Sequence, residues 1–253
     1  MQGEGGVIMK LTLAETRLLK DSTSIIADLV TEVRFKVTPL GIELVAMDPA
    51  NVAMVVFKLL SSAFAEYHVK EQKIVAVNLN DLKSVFRRIK PQDMMVLEID
   101  ENKFKITLKG ASKREFFLPL IDIDEREQKI PNLSFTATVS TSSDSLSDAI
   151  EDADIIGESV TFMASNEAFT VSSSSDLSKA VIELPADEIT RIKSSVDVRS
   201  KYSIEYLKKM VLAGKIAPTV NISFSKDYPL KIDYRLIDKM ELMFILAPRV
   251  DND

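Results

Sequence analysis

The chain has 253 residues, of which 46% are hydrophobic and 28% charged, and its net charge is -6 at pH 7. This length exceeds the usual single-domain size and favours two domains of ordinary globular composition. The sequence has no cysteine and one histidine, which excludes disulfides, thiolate zinc sites, cysteine nucleophiles and paired-histidine metal sites. None of the 7 glycines forms a GxGxxG or GxxxxGK phosphate loop.

The first six residues, MQGEGG, lack the basic start and apolar stretch of a secretory leader. We expect residues 1–8 to form a disordered tail. No apolar run approaches the roughly 20 residues that cross a bilayer, so we expect a cytoplasmic protein with no membrane partner.

The first half of the chain begins with a strand, a helix and three further strands. A Pro39–Gly41 turn separates the first two of those three strands. After an ambiguous stretch at 61–67 come a strand, a second helix that Asn80 and Asp81 could cap, and three more strands. The predicted helices span 15–30 and 81–90, and the predicted strands span 7–14, 32–38, 41–48, 51–59, 73–79, 94–99, 103–109 and 113–120.

The second half repeats this order of elements, which is the signature of an internal repeat. Its predicted helices span 143–157, closed by Gly157, and 204–214, closed by Gly214. Its predicted strands span 134–140, 159–165, 168–174, 179–185, 198–203, 219–225, 229–236 and 240–248. Consecutive strands with few helices favour an α+β fold in which antiparallel sheets carry helices on one face.

An acidic passage that ends in Ile130-Pro131 separates the two similar halves. We interpret residues 118–133 as an interdomain connector between domains at 9–117 and 134–253, although a surface loop would look similar. The strand that precedes it ends in the apolar FFLPL, without the charges or early proline that protect an edge. This favours oligomerisation by strand addition.

Two acidic clusters leave an enzymatic alternative open. Paired carboxylates can hold Mg²⁺ for phosphodiester cleavage or act as acid and base, so a metal-dependent nuclease or other hydrolase is the alternative function. The clusters are Asp122, Asp124 and Glu125 in the connector and Asp148, Glu151, Asp152 and Asp154 in the third helix. A solvated helix face and a flexible linker explain them more simply, and His68 fits a surface strand position. We therefore predict no catalytic residue, metal or cofactor.

Basic residues recur on the helices, opposite the apolar stripes, although the protein is acidic overall. Lysines and arginines without interleaved aromatic residues bind phosphates without reading bases, so we expect a surface for a polyanion whose binding is weak, salt-dependent and indifferent to sequence. The residues are Arg17, Lys20, Lys83, Arg87, Arg88, Lys208 and Lys209, with Lys215 nearby.

Four motifs, in this order and spacing, resemble the DNA sliding-clamp family of proliferating cell nuclear antigen (PCNA), especially its archaeal members. They are GIELVAMDPANV, VNLNDLKSVFRR, REFFLPLIDIDE with KIP, and PLKIDYRL with ILAPRV. The resemblance covers residues 9–253. It implies two domains of the DNA clamp fold, a head-to-tail trimeric ring with helices inside and sheets outside, and a non-enzymatic role in processivity on DNA.

The resemblance also implies partners. A clamp loader opens such rings, and DNA polymerase, flap nuclease and ligase bind them through PIP-box peptides with a glutamine, an aliphatic residue and paired aromatics. The implied peptide pocket is formed by Met47, Val52, Ile130, Pro131, Pro229, Leu246, Ala247 and Pro248. We expect a location at the nucleoid, or in the nucleus if the source is eukaryotic.

The implied subunit interface joins the strand around 113–118 to the strand around 178–184 of a neighbour. Its residues are Arg114, Phe116, Leu118, Ala180, Ile182 and Glu183, with Arg114 and Glu183 as a candidate ion pair. The acidic third helix departs from the family pattern, which leaves a homotrimer and a heterotrimer of related subunits as alternatives. A checkpoint-type clamp subunit is a further alternative, which the identity of the partners would decide.

Overall fold

The structure, a computed structural model, describes residues 9–100, 102–123, 128–194 and 196–249. The chain divides into two compact units. Unit 1 contains residues 1–46, 56–128 and 237–240, and unit 2 contains residues 47–55, 129–236 and 241–253. The predicted tail at 1–8 lies outside the described residues.

Unit 1 is built from antiparallel strands and two helices. Its strand orders are β5-β1-β7-β8-β9 and β6-β2-β3-β4. The elements are β1 Met9–Leu13, α1 Arg17–Ala27, β2 Glu32–Thr38, β3 Gly41–Met47, β4 Ala53–Leu60, β5 Glu66–Val69, β6 Lys73–Asn78, α2 Leu79–Phe86, β7 Met94–Asp100, β8 Lys103–Lys109 and β9 Lys113–Pro119. The last residue of β3 and the first three residues of β4 belong to unit 2.

Unit 2 repeats this architecture element by element. Its strand orders are β14-β10-β16-β17-β18 and β15-β11-β12-β13, which match those of unit 1 position for position. The elements are β10 Ala137–Ser142, α3 Ser143–Asp154, β11 Ser159–Ala164, β12 Ala168–Ser174, β13 Lys179–Pro185, β14 Arg191–Ser194, β15 Val198–Ser203, α4 Ile204–Val211, β16 Thr219–Phe224, β17 Leu230–Leu236 and β18 Met240–Leu246.

The predicted α+β class and internal repeat are confirmed, and the differences are local. The sequence prediction missed β14 within a charged passage and left β5 ambiguous, because such short, exposed strands carry little periodicity. The cap of α2 is Asn78, whose side chain accepts the Asn80 N–H, so capping by Asn80 and Asp81 was wrong. Helix α3 ends at Asp154 rather than at Gly157.

The helices are amphipathic and pack in pairs, α1 with α2 and α3 with α4. Each buries one stripe, as the spacing predicts. In unit 2 the core contains a cluster of aromatic rings around Phe162, whose centroid lies 5.2 Å from Phe169, 5.6 Å from Tyr202 and 6.1 Å from Phe224. All four of these side chains are fully buried.

Two strands differ from this buried pattern. β9 ends the five-strand run of unit 1, β13 ends the four-strand run of unit 2, and each has seven residues. Both alternate exposed with half-buried residues, and neither contains a fully buried one. Among the described strands, no other edge strand of this length lacks a buried residue.

The described part of the predicted connector forms neither helix nor strand after Pro119. Ile121 donates its backbone N–H to the carbonyl of Ala76 at 3.0 Å, which anchors the start of the segment in unit 1. Asp124 and Glu125 lie outside the described residues, and the bounds of 118–133 remain a prediction. Within the part of the chain that the structure describes, no helix is long and apolar enough to cross a membrane.

We expect Phe162→Ala to lower the free energy of unfolding by about 3–5 kcal/mol, because it removes the central ring of this cluster and leaves a cavity. Denaturant unfolding measures the change. Met163→Ala is the matched control, since Met163 is 41% exposed and should change the stability by no more than about 0.5 kcal/mol. Equal losses for both variants would contradict the assigned core.

Candidate nucleic-acid and partner-binding surfaces

The predicted DNA-binding residues all lie on or directly after helices, and each is exposed or half-buried. Arg17 and Lys20 lie on α1 and Lys83 on α2, while Lys208 and Lys209 lie on α4. Arg87 and Arg88 follow the last residue of α2. The structure thus places one basic surface on the α1–α2 pair and another on α4.

Lys83 is held more tightly than the sequence indicated. Its ammonium group lies 2.7 Å from a carboxylate oxygen of Asp28 and 3.3 Å from the carbonyl of Ser24, and only 18% of its side chain is exposed. Lys83 therefore joins α2 to the end of α1, and its charge is partly neutralised.

Several of the other cations have acidic neighbours. Lys208 pairs with Asp154, so α4 is bridged to the acidic α3. Arg17 pairs with Asp21 at 3.3 Å, and Lys209 pairs with Glu205 at 3.3 Å. Exposed pairs of this kind contribute little to stability, so a phosphate can replace the carboxylate at low cost.

The acidic residues of α3 form an exposed face opposite its buried stripe. Asp148, Glu151, Asp152 and Asp154 are exposed, whereas Leu146 and Ile150 are fully buried. No group of three His, Cys, Asp or Glu side chains in the described ranges has the geometry of a metal site. The hydrolase alternative therefore gains no support from the geometry. His68 lies exposed on β5, paired with Lys10.

The residues of the implied peptide pocket all lie in unit 2. Ile130 and Pro131 are exposed, and Met47, Val52, Pro229, Ala247 and Pro248 are half-buried. Leu246 is fully buried where it ends β18, and its place in the peptide pocket stays a prediction. The backbone N–H of Ala247 donates to the carbonyl of Val52 at 2.9 Å and joins two of the three stretches.

The turn between β3 and β4 contains a residue that sequence reasoning missed. Asp48 is 5% exposed, and its carboxylate accepts the N–H groups of Ala50, Val52 and Ala53 at 3.1, 2.7 and 2.7 Å. The hydroxyl of Tyr206 on α4 donates to the same carboxylate at 2.7 Å. The Asp-Pro dipeptide signals a turn, but nothing local in the sequence indicates a bond to Tyr206.

These contacts set the charge of Asp48. Burial opposes ionisation, but the hydrogen bonds from Ala53, Tyr206, Val52 and Ala50 together hold the pKa of this carboxyl below its usual range. Asp48 is therefore ionised at neutral pH and serves as a fixed acceptor.

The predicted interface residues lie on the two unusual edge strands. Arg114, Phe116 and Leu118 share the half-buried face of β9, and Ala180 and Ile182 share that of β13. Glu183 is on the exposed face of β13. Arg114 pairs with Asp93 and donates to the carbonyl of Arg88 at 2.8 Å. In the candidate pair of Arg114 with Glu183, Arg114 therefore already has a partner in its own unit. Glu183 lies on the exposed face of its strand, whereas Arg114 lies on the half-buried face of β9.

The repeated α+β units, with helix-borne cations and two uncovered edge strands, define the class of two-domain DNA clamps. The family model for the N-terminal domain of proliferating cell nuclear antigen matches residues 8–127, and the model for its C-terminal domain matches residues 129–249. The chain therefore belongs to the proliferating cell nuclear antigen family.

Individual relatives and a solved structure agree with this family assignment. The DNA polymerase sliding clamp of Nanoarchaeum equitans is 35% identical over 249 residues, covering 96% of this chain and 100% of the relative. That of Pyrococcus furiosus is 35% identical and covers 88% of this chain and 91% of the relative. The crystal structure of PCNA from Thermococcus kodakaraensis matches with a TM-score of 0.89 and 27% identity over 95% of this chain and 100% of that one.

We expect the contribution of Asp48 to the free energy of unfolding to decrease in acid. Because its pKa is lowered in the folded protein, the contribution is complete above the ordinary value of 3.8 and is lost as the pH falls further, through the lower native pKa. Denaturant unfolding of the wild type and Asp48→Asn, measured from neutral to acidic pH, checks this. The difference between the two should be constant near neutrality and shrink in acid, and a difference that grows in acid would contradict it.

Proposed function

We propose that this chain is a subunit of a DNA sliding clamp, a ring that encircles duplex DNA and tethers replication and repair enzymes to it. The observation that carries the proposal is the pair of seven-residue edge strands on two units of the same strand order, in a chain whose relatives are named DNA polymerase sliding clamps. A ring retained by topology needs no tight or specific grip on DNA.

The ring closes by head-to-tail pairing of β9 of one subunit with β13 of the next. The two strands have equal length and the same alternation of exposed and half-buried residues. Pairing would satisfy their free backbone groups and cover Phe116 and Leu118 of one chain with Ala180 and Ile182 of the other. The surfaces differ, so the contact is heterologous and closes only at a fixed rotation, which in this family gives a trimer.

The charges of α2 and α3 support the same β9–β13 interface and account for the acidic third helix. α2 contacts β9, and α3 contacts β13. Strand pairing would therefore bring the basic end of α2, with Arg87 and Arg88, close to the exposed Asp148, Glu151 and Asp152 of the next subunit. One chain supplies both charges, which favours three identical subunits over a heterotrimer.

Duplex DNA would pass through the ring against the helices. Lys20, Lys209 and the other helix-borne cations would contact phosphates without reading bases. The carboxylate partners of Arg17, Lys83, Lys208 and Lys209 would keep the contact weak enough to slide. Catalysis belongs to the tethered enzymes, and the clamp contributes retention.

Partner enzymes would bind the pocket around Met47, Val52 and Ala247 through PIP-box peptides. The exposed Ile130 and Pro131 at its border give a short peptide apolar contact, and the neighbouring segment 120–136 contains no helix or strand in its described part. Three pockets per ring would add avidity for the clamp loader, polymerase, flap nuclease and ligase.

We expect Phe116→Ala to shift the protein from trimer towards monomer, because it removes the largest apolar side chain from the half-buried face of β9. Size-exclusion chromatography with light scattering measures the mass, and circular dichroism checks folding. Ile237→Ala is the control, since Ile237 is 87% exposed and lies outside both edge strands. If the folded Phe116→Ala variant remains a trimer and dissociates on dilution no more than the wild type, the proposed β9–β13 interface is rejected.

We expect the double variant Lys20→Ala with Lys209→Ala to bind DNA more weakly than the wild type. The slope of the logarithm of its binding constant against the logarithm of the salt concentration should be flatter by about 2, because each lost phosphate contact removes about 0.9.

Encirclement is tested separately. Rings are threaded onto a bead-bound linear duplex, and a bulky protein then caps the free end. The wild type should resist a high-salt wash and leave when the cap is cut away.

The matched control removes the same charge from a strand, with Arg191→Ala and Lys193→Ala on β14, and should behave like the wild type. Loss of wild-type protein in the wash with the cap in place would reject encirclement. Equal slopes for the two double variants would reject the helix-lined passage.

A further inference from the structure

The β3–β4 turn takes its shape from one carboxylate. Besides the three N–H groups that Asp48 accepts from the turn, its own N–H donates to the carbonyl of Ala53 at 2.8 Å. Asn51 adopts a left-handed conformation with φ 58°, which asparagine tolerates better than most residues. The turn has no helix or strand of its own, so the position of Asp48 determines its conformation.

Tyr206 fixes Asp48 from a different element. Its hydroxyl donates to Oδ2 at 2.7 Å, whereas the closest backbone bonds of the carboxylate, from Val52 and Ala53, are to Oδ1. Besides the bond from Tyr206, Oδ2 accepts the longer bond from the N–H of Ala50 at 3.1 Å. Tyr206 is carried by α4, whose Leu207 and Met210 are fully buried. The turn is therefore attached to a helix that the core holds in place.

The hydrogen bond from Tyr206 to Asp48 persists at neutral pH. Burial, followed by the hydrogen bond to the ionised Asp48, raises the pKa of Tyr206 to about 12. The hydroxyl therefore keeps its proton at neutral pH. A charged acceptor makes such a bond shorter and stronger than one between neutral groups.

The β3–β4 turn and the residue before it form part of the proposed peptide pocket. Met47 precedes Asp48, and Val52 is joined to Ala247 through the 2.9 Å bond between their backbones. A pocket with a fixed shape binds better than one that must be ordered by its ligand.

We propose that Tyr206 is a positioning residue for the partner pocket: its hydroxyl, acting through Asp48, holds the β3–β4 turn in the conformation that receives the peptide. The proposal rests on the peptide pocket of the proposed function. Tyr206 itself need not touch the peptide.

The test is Tyr206→Phe, which removes only the hydroxyl. The probe is a fluorescein-labelled synthetic peptide with a glutamine, an aliphatic residue and two adjacent phenylalanines, and its affinity is measured by anisotropy. We expect binding about tenfold weaker, and faster backbone hydrogen exchange in residues 48–53 at an unchanged oligomeric mass. The control is Tyr234→Phe, because the Tyr234 hydroxyl is buried without a hydrogen-bond partner in the described structure, and it should bind the peptide like the wild type.

The outcomes separate this proposal from the one on which it rests. If the wild type binds the peptide and Tyr206→Phe binds it equally well, the positioning role is overturned while the pocket stands. If the wild type does not bind the peptide, the pocket fails, and unchanged exchange at 48–53 in Tyr206→Phe would also overturn the role of Tyr206 in holding the turn. A loss of affinity as large in Tyr234→Phe as in Tyr206→Phe would assign the effect to general loosening of the unit.

Discussion

The unsatisfied backbone of two edge strands is the constraint on which the rest of this structure depends. β9 and β13 expose N–H and C=O groups over seven residues each and contain no fully buried residue. An exposed edge of this length can pair with another strand. Under the proposed function another copy of the chain covers it, and the half-buried Phe116 and Ile182 become part of that interface.

The charges follow the same logic. In a protein of net charge -6, the cations of the helices lie on α1, α2 and α4 while α3 is acidic. Several of them are paired within their own unit, as Lys83 is with Asp28 and Lys208 with Asp154. Paired surface charges hold their helices in place at modest energy. Such a surface can meet a polyanion by exchanging partners without binding it tightly, which suits a protein that has to move along DNA.

The proposed partner pocket lies within one unit. It combines the β3–β4 turn, the end of β18, Pro229, and Ile130 and Pro131 of the predicted connector, all of them in unit 2. Its shape depends on contacts between stretches far apart in sequence, such as Val52 with Ala247 and Asp48 with Tyr206. Small changes on α4 can therefore affect a surface that α4 does not itself form.

Periodicity and turn signals in the sequence determined the α+β class, the internal repeat, the amphipathic helices and most strand positions, because these depend on spacings of two to four residues. Four motifs were enough to indicate the family. Only the tertiary structure showed that Leu246 is buried, that Arg114 has Asp93 as its partner, that Glu183 lies on the opposite face from Ile182, and that Asp48 joins Tyr206. Those facts depend on which distant residues the fold brings together, and local patterns carry no information about that.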